Sequence, residues 1–182
     1  DGIIFVADAI ADTVYWIDPD THTVNPFSTP GSIDGAWDLQ IQRDRPGPYF
    51  VAESTVPSLL LVEPALPARA TVSSGGSLVM PAALEVLPNA AGLVVADPSA
   101  QAVIEAAFSG VQTVASQAGR LTVPTSASRE VDGTYLVTDL GDPAADPPVL
   151  PAVIRVDPNL PSPGNQTVVS EGGKLVRPMA GA

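Results

Sequence analysis

The sequence of 182 residues lacks cysteine altogether and contains a single histidine, His22, and a single lysine, Lys174. Without cysteine the chain forms no disulfide, has no thiol nucleophile and offers no thiolate ligand to zinc. His22 lies between Thr21 and Thr23 in a segment typical of an exposed turn. We therefore expect no catalysis by a histidine base, and serine-nucleophile schemes that depend on such a base are disfavoured too.

Basic residues and long apolar runs are also scarce. Eight lysine and arginine residues stand against twenty aspartate and glutamate residues, which gives a formal net charge of −12. This balance disfavours nucleic acid or an anionic membrane as a partner. It indicates a well-solvated surface, with affinity for cations or basic partners as the alternative. No apolar run approaches the roughly 18 residues of a transmembrane helix.

The sequence shows no recognisable secretion signal, since Asp1 leads directly into a strand-like run. We interpret this start as a mature or trimmed N-terminus and expect an extracellular or periplasmic location. Alanine and proline are abundant while lysine is nearly absent. That composition is typical of GC-rich bacterial genomes, so we expect a bacterial source.

An apolar fraction of 45% indicates a packed core, and a fourfold internal repeat organises it. Each copy contains an apolar run that ends in a carboxylate: Ile4–Asp8, Tyr49–Glu53, Leu93–Asp97 and Tyr135–Asp139. The four carboxylates are 45, 44 and 42 residues apart. A second run follows each one, at 13–19, 59–64, 102–106 and 153–158, and a third at 24–28, 70–73, 112–116 and 166–170.

A glycine turn closes each copy, and a proline follows it in three of them. The glycines are at 31, 75–76, 119 and 172–173, and the prolines are Pro81, Pro124 and Pro178, with Ala36 in the equivalent place of the first copy. The runs are rich in β-branched and aromatic residues and show no helical periodicity. Each copy is predicted to be four short strands. Residues 1–182 are predicted to form one all-β domain with approximate repeats 1–47, 48–91, 92–133 and 134–182.

The order of these elements resembles a known repeat. A glycine turn, a leucine, a proline-led strand, Gly-x-x-x-Val-Ala-Asp and Val-Ile-x-Val-Asp-Pro resemble the NHL repeat and the related propellers of the gluconolactonase and virginiamycin B lyase type. The resemblance covers the whole chain and implies a β-propeller, here with four antiparallel blades. It implies no single function, because the same architecture carries hydrolases, lyases and interaction modules.

The recurrent carboxylates are the first candidate site. Asp8, Glu53, Asp97 and Asp139 end equivalent strands, so carboxylates arranged around one face of the propeller could hold Ca²⁺. A residue present in every copy is more typical of a structural role, in which each carboxylate accepts backbone N–H groups of the following turn. We prefer the structural interpretation and keep Asp8, Asp97 and Asp139 as weak metal candidates.

The resemblance implies a second kind of metal site. Metal-dependent lactonases of this fold hold their ion with acidic and amide side chains that project from the inner strands into the central channel. In this sequence the corresponding positions after the prolines are Ala82, Ala83, Thr125, Ser126 and Met179. Asp38 alone offers a carboxylate there and is a further weak metal candidate. We therefore expect no lactonase activity and assign no catalytic or cofactor-binding residue.

Aromatic residues are concentrated in the first fifty positions. Tyr15 and Trp16 are predicted on opposite faces of one strand, and Trp37 near the mouth of the channel. We interpret them mainly as packing between blades, with contact to a ligand or partner as the alternative. The fourth copy also carries a proline-rich acidic stretch at 141–148. It is interpreted as a surface excursion, with recognition as the alternative.

The sequence thus predicts a binding or scaffold module that recognises a protein or small ligand on its loop face. The alternatives are a metal-dependent hydrolase or lyase of the gluconolactonase or virginiamycin B lyase type, and a fragment of a six-bladed propeller. Six blades need roughly 260 residues, more than the 182 given, and no innermost strand precedes Ile3–Ala7. We expect the open edges to be completed by further residues or by self-association between chains, rather than by Pro178–Ala182.

Overall fold

A computed structural model of the chain describes residues 2–41, 49–63, 69–88 and 91–175. Within these ranges the chain forms fifteen β-strands in four antiparallel sheets. None of these residues belongs to a helix long and apolar enough to cross a membrane. The all-β prediction is confirmed, and we call the four sheets blades 1 to 4 in chain order.

The blades repeat one plan in which the strands lie side by side in chain order. Blade 1 contains β1 (Ile4–Asp8), β2 (Thr13–Asp18) and β3 (Thr23–Pro26). Blade 2 contains β4 (Ala36–Ile41), β5 (Tyr49–Glu53), β6 (Ser58–Val62) and β7 (Arg69–Ser74). Blade 3 contains β8 (Ala83–Val86), β9 (Leu93–Asp97), β10 (Ala102–Ala106) and β11 (Gln112–Gln117). Blade 4 contains β12 (Pro124–Arg129), β13 (Tyr135–Asp139), β14 (Ala152–Val156) and β15 (Gln166–Glu171).

Each blade from the second onward begins with the strand that precedes the carboxylate-ended run. We call this strand the inner strand, and it is β4, β8 or β12. Inner strands of successive blades contact one another, and β1 contacts β4. The repeats counted from the sequence therefore start one strand later than the sheets. Residues 176–182 lie outside the described residues. The prediction that Pro178–Ala182 does not close the ring concerns these residues and stays a prediction.

Turns held by aspartate side chains join neighbouring strands. The Asp18 Oδ1 atom accepts the backbone N–H of Asp20 at 2.9 Å between β2 and β3. The Asp157 Oδ1 atom accepts the Asn159 N–H at the same distance between β14 and β15. Gly76 shows why glycine closes a copy, because its φ is +62° and a Cβ there would lie 2.8 Å from the Gln112 Oε1 atom. These devices end each strand after four to six residues.

The core consists of the three interfaces between successive blades. Successive residues of a strand point to opposite faces of the sheet, so Tyr49 and Val51 pack toward blade 1 while Phe50 and Ala52 pack toward blade 3. In β9, Val94 and Ala96 likewise pack toward blade 4. Every residue of β5 and β9 is buried. This two-sided cover explains the continuous apolar runs seen in the sequence.

The first and last blades each present one face away from their neighbour. Cross-strand partners share a face, and the register places five apolar residues on the outward face of blade 1: Ile4, Val6, Tyr15, Ile17 and Val24. The outward face of blade 4 is mostly polar and holds Ser126, Ser128, Leu136, Thr138, Val153 and Arg155. The outward faces of blades 1 and 4 therefore differ in polarity.

Candidate functional site

One side of the molecule is built from the turns that follow the carboxylate-ended strands and from the connectors that lead into the inner strands. We call this side the loop face, and it comprises residues 9–12, 27–35, 54–57, 75–82, 98–101, 118–123 and 140–151. Its segments are hydrogen bonded to one another. The Gly35 N–H reaches the Asp12 Oδ1 atom at 2.9 Å, and the Ser54 N–H reaches the Gly35 carbonyl at 3.1 Å.

Asp97 and Asp139 fasten these loops from buried positions. Asp97 accepts the Val79 N–H at 2.7 Å and the Met80 N–H at 2.9 Å from the connector before β8. It also accepts the Ala100 N–H at 2.9 Å from the following turn. Asp139 accepts backbone N–H groups from Thr122, Val123 and Gly141 at 2.9, 3.1 and 2.7 Å. Each carboxylate therefore joins the turn after its own strand to the connector before its inner strand.

Glu53 and Asp8 vary this arrangement. The Glu53 Oε1 atom accepts the Asp34 N–H at 2.5 Å and pairs with the Arg69 guanidinium at 2.9 Å, while its Oε2 atom accepts the Ser58 hydroxyl. Asp8 is only half-buried, and its Oδ1 atom accepts two N–H groups of its own turn, those of Ile10 and Ala11, both at 2.9 Å. Asp8 thus differs from the other three in making no bond to a connector among the described residues.

The structure does not assemble these carboxylates into one ligand set. Within the described ranges, no group of three or more Asp, Glu, His or Cys side chains is placed to hold a metal ion. Asp8, Asp97 and Asp139 each end a strand in a different blade. Both oxygens of Asp97 and of Asp139 already accept hydrogen bonds within the loop face.

The inner strands carry a bulge at the loop face. In β4, Ala36 pairs with Glu53 and Asp38 pairs with Ala52, so Trp37 is the extra residue. In β12, Thr125 is the extra residue between Pro124 and Ser126. Ala82 holds the equivalent place before β8. A bulge re-aims the side chain it carries, and Trp37 is 56% exposed there.

Asp38 follows the bulge and ties two blades together. Its Oδ1 atom accepts the Leu39 N–H and its Oδ2 atom accepts the Leu84 N–H from β8, both at 2.8 Å. Burial raises the pKa of the Asp38 carboxyl, and the hydrogen bonds from Leu84 and Leu39 oppose that shift. The equivalent residue in blade 4, Ser126, instead bonds the Thr138 hydroxyl at 2.7 Å. The inner-strand positions thus carry interblade and intrablade polar contacts.

Of the three aromatic candidates, only Trp37 adjoins the loop face, because it lies at the start of β4 directly after the connector 27–35. Trp16 pairs with Phe5 across β1 and β2 and therefore faces blade 2, whereas Tyr15 pairs with Val6 on the outward face. Both are half-buried. The predicted packing role is carried by Phe5, Phe27 and Tyr49, whose ring centroids lie 4.4 to 5.2 Å apart between blades 1 and 2.

A polar groove of about 370 Å³ lies between blades 3 and 4, away from the loop face. Its walls include Glu105, Arg129, Asp132 and Asn159. The buried Tyr135 hydroxyl donates to the Glu105 Oε1 atom at 2.6 Å behind the groove. Burial, together with this hydrogen bond, raises the pKa of Tyr135. The raised pKa keeps the phenol protonated at neutral pH, so that it donates a hydrogen bond between the two blades.

Sequence reasoning missed a pair of glutamines that link neighbouring blades. The Gln112 Nε2 atom donates to the Ser73 hydroxyl at 2.8 Å and the Gly75 carbonyl at 3.0 Å, and its Oε1 atom accepts the Ser77 N–H at 2.7 Å. Gln166 makes the equivalent set with Ser116, Ala118 and Arg120. The repeated Gln-Thr-Val at 112–114 and 166–168 was the available signal.

Comparison with protein-family models and with curated protein sequences found no match. Comparison with solved structures found similar folds. One is a crystal structure of a nidogen/laminin complex, which matches with a TM-score of 0.73 at 12% identity over 95% of this chain and 61% of that chain. Another is selenomethionine-substituted virginiamycin B lyase from Staphylococcus aureus, with a TM-score of 0.67 at 12% identity over 92% and 51% of the two chains.

A third similar structure is Kuenenia stuttgartiensis hydrazine synthase, with a TM-score of 0.68 at 14% identity over 93% of this chain and 45% of that one. The chain thus spans between 45% and 61% of the length of these three structures. At such low identity the likeness concerns the fold. Together with the sheet order and the fourfold repeat, it establishes that the described residues form four successive blades of a β-propeller.

Proposed function

We propose that the chain is a binding module that engages a protein partner through its loop face, with the four blades as a rigid scaffold. The main observation in support is the exposure of Trp37. This tryptophan lies on a bulge of an inner strand and is 56% exposed. Tryptophan is enriched among residues that dominate binding energy. Placing it on a bulge costs local pairing, which favours a role beyond packing.

Further apolar side chains are exposed on separate segments of the loop face. Ile10 and Val56 are exposed on the turns before β2 and β6, and Val79 is exposed on the connector before β8. Their spread over three segments suits the broad surface of a protein better than the closed cavity of a small ligand.

The loops that carry these side chains are held in place before any partner arrives. The Asp12, Asp97 and Asp139 carboxylates bond backbone N–H groups of the connectors at 2.7 to 3.1 Å. Ordered loops lose less conformational entropy on association, so preorganisation of this kind strengthens binding. The similarity to a structure of a nidogen/laminin complex supports the proposal, since that structure is of an assembly of two proteins. An extracellular or periplasmic location is part of the same proposal.

The test compares capture of partners from extracts of the source cells by three immobilised proteins. These are the wild type, Trp37→Ala, and the control Val131→Ala, which removes an exposed side chain from the turn before β13. We expect one or more proteins to be retained by the wild type and the control and lost with Trp37→Ala. Titration of the purified partner against a Trp16→Phe variant should then change the emission of Trp37. Equal capture by all three proteins, or unchanged emission on binding, contradicts the proposal.

A further inference from the structure

The polar groove between blades 3 and 4 lies at the strand ends that point away from the loop face. Its volume of about 370 Å³ falls at the lower end of the range for small-ligand sites. Strands β10 and β11 form its wall on blade 3, and the turns after β12 and β14 form its wall on blade 4. Every residue that lines the groove belongs to the described ranges.

The buried Asn165, just before β15, holds the two walls together. Its Nδ2 atom donates to the Ala115 carbonyl of blade 3 at 2.7 Å and to the Asp157 carbonyl of blade 4 at 3.1 Å. Its Oδ1 atom accepts the Ser116 hydroxyl at 2.7 Å. This side chain therefore ties β11 to the turn after β14, so the groove is formed before a ligand binds.

Arg129 supplies the positive charge of the groove. It pairs with the buried Tyr135 across β12 and β13 and therefore faces blade 3. Its guanidinium lies against Gly133, where an added Cβ would be 3.5 Å from the Nη2 atom. Arg129 forms no ion pair with a described residue, whereas the other three arginines of the described ranges each pair with a carboxylate: Arg69, Arg120 and Arg155. The guanidinium is thus free to bind a ligand carboxylate through two parallel hydrogen bonds.

Two carboxylates, those of Glu105 on β10 and Asp132 in the turn after β12, line the same groove. The Glu105 Oε1 atom accepts the Tyr135 hydroxyl at 2.6 Å, and its Oε2 atom accepts no hydrogen bond from the described residues. The Asp132 Oδ1 atom accepts the N–H and the hydroxyl of Thr134 at 3.0 and 2.6 Å. The Asp132 Oδ2 atom has no donor among the described residues either. Each carboxylate therefore keeps one oxygen for a cationic group of a ligand.

Charges of both signs thus face one groove without pairing with each other. An anion alone would be repelled by Glu105 and Asp132, and a cation alone would be repelled by Arg129. We propose that the groove binds a small zwitterion of the α-amino acid class. The ligand carboxylate pairs with the Arg129 guanidinium, and the ligand ammonium group donates to the free oxygens of Glu105 and Asp132. Ala115 and Pro158 complete the walls with small apolar surfaces, which suit a short aliphatic side chain. This site goes beyond the binding of a protein partner on the loop face.

The probe is L-alanine, titrated into the full isotope-labelled chain and followed by the amide chemical shifts in NMR spectra. Two matched probes separate its charges, because propionate lacks the ammonium group and ethylamine lacks the carboxylate. The protein variants are Arg129→Gln and Glu105→Gln, the second of which keeps an acceptor for the Tyr135 hydroxyl. Their matched controls are Arg120→Gln and Glu171→Gln, which remove the same charges from an ion pair at the surface.

We expect L-alanine to bind saturably in the millimolar range, with the largest shifts at the groove amides of Thr113, Gly133 and Asn159. Loss of a hydrogen bond to a charged group corresponds to roughly tenfold or more in affinity. Propionate and ethylamine should therefore bind roughly tenfold more weakly than L-alanine. Arg129→Gln and Glu105→Gln should weaken the binding of L-alanine by about the same factor, while the two controls should not.

The absence of saturable shifts at the groove amides with L-alanine overturns the proposal. Binding of propionate or of ethylamine as tight as that of L-alanine also overturns it, because the groove would then recognise a single charge. Unchanged affinity for L-alanine in an Arg129→Gln variant whose circular dichroism matches wild type has the same consequence.

Discussion

Strands β1 and β9 have closely related sequences, Ile-Phe-Val-Ala-Asp and Leu-Val-Val-Ala-Asp, and occupy equivalent places in blades 1 and 3. Every residue of β9 is buried. In β1, Ile4 and Val6 are exposed and the other three residues are half-buried. The difference arises because β9 has an inner strand beside it and a blade on each face, whereas β1 has cover from β2 and from blade 2 among the described residues.

The comparison separates two determinants of structure. The local sequence decides that both segments are strands that end in a carboxylate at a turn. The neighbours decide how much of each strand is buried and what the carboxylate binds. Asp97 joins two loops from a buried position, while Asp8 serves its own turn only. The same residue type in the same place therefore contributes differently to stability.

The largest expected effect is a loss of stability on changing Asp97 to alanine. The substitution leaves the N–H groups of Val79, Met80 and Ala100 without their acceptor in a part-buried site. We expect the free energy of unfolding to fall by about 3–5 kcal/mol, as measured by urea denaturation. Asp8→Ala is the matched control and should cost about 1 kcal/mol. Equal losses at the two positions would remove the distinction between the blades.

A smaller effect is expected from trimming the equivalent valines, Val95 and Val6. Val95 is buried between blades 2 and 3, so Val95→Ala deletes two methyl groups from a packed interface. We expect a loss of about 2 kcal/mol. Val6 is 40% exposed, and Val6→Ala should cost less than about 1 kcal/mol. The same denaturation experiment checks both, and a cost for Val6→Ala as large as that for Val95→Ala would show that the outward face is covered in solution.

The Asp38 and Glu130 carboxyl groups should make contributions to stability that depend on pH with opposite signs. Burial raises the pKa of Asp38 above its ordinary 3.8, so its contribution to stability is fully present below pH 3.8 and declines as pH rises through the folded pKa. Its hydrogen bond with Arg155 lowers the pKa of Glu130 below 4.5. That contribution is present above pH 4.5 and is lost as pH falls through the lowered folded value.

The measurement is urea denaturation of wild type, Asp38→Asn and Glu130→Gln between pH 3 and 7. The stability of wild type relative to Asp38→Asn should decrease with rising pH, and its stability relative to Glu130→Gln should increase. The second change should be the smaller, because the Glu130–Arg155 pair lies at the surface. Slopes of the same sign would contradict the assignment of the two environments.

The smallest expected effect concerns calcium. Both oxygens of Asp38 accept backbone N–H groups at 2.8 Å, and the buried carboxylates of the loop face are similarly engaged. We therefore predict no saturable heat on titration of Ca²⁺ in calorimetry, and no lactone hydrolysis. Tight calcium binding and turnover that are both abolished by Asp38→Ala would show that the inner strands hold a metal site and would favour the hydrolase alternative.

Much of the fold could be read from the sequence because the repeat supplies four versions of each strand. The four carboxylate-ended runs match β1, β5, β9 and β13 residue for residue. The outer strands were placed to within two residues at each end. Local patterns suffice for this because strand runs and turn residues are short-range signals.

The contacts that build the loop face could not be read in the same way. Asp97 was expected to bind the turn after it, and it does bind Ala100, but its bonds to Val79 and Met80 reach back 18 and 17 residues in sequence. The bulge that exposes Trp37 depends on pairing with β5, and no residue pattern near Trp37 predicts it. The glutamine links also depend on the packing of neighbouring blades. Such features need the relative placement of blades, which the spacing of repeats does not give.

Residue-resolved amide hydrogen exchange on the 182-residue chain tests the contrast between β1 and β9 most directly. All five amides of Leu93–Asp97 should be strongly protected, because the strand is paired on both sides and buried. In Ile4–Asp8, protection should be confined to the amides that face β2, with fast exchange at the alternate residues along the open edge. Uniform protection of β1 equal to that of β9 would contradict the account, since it would mean that the edge is already occupied.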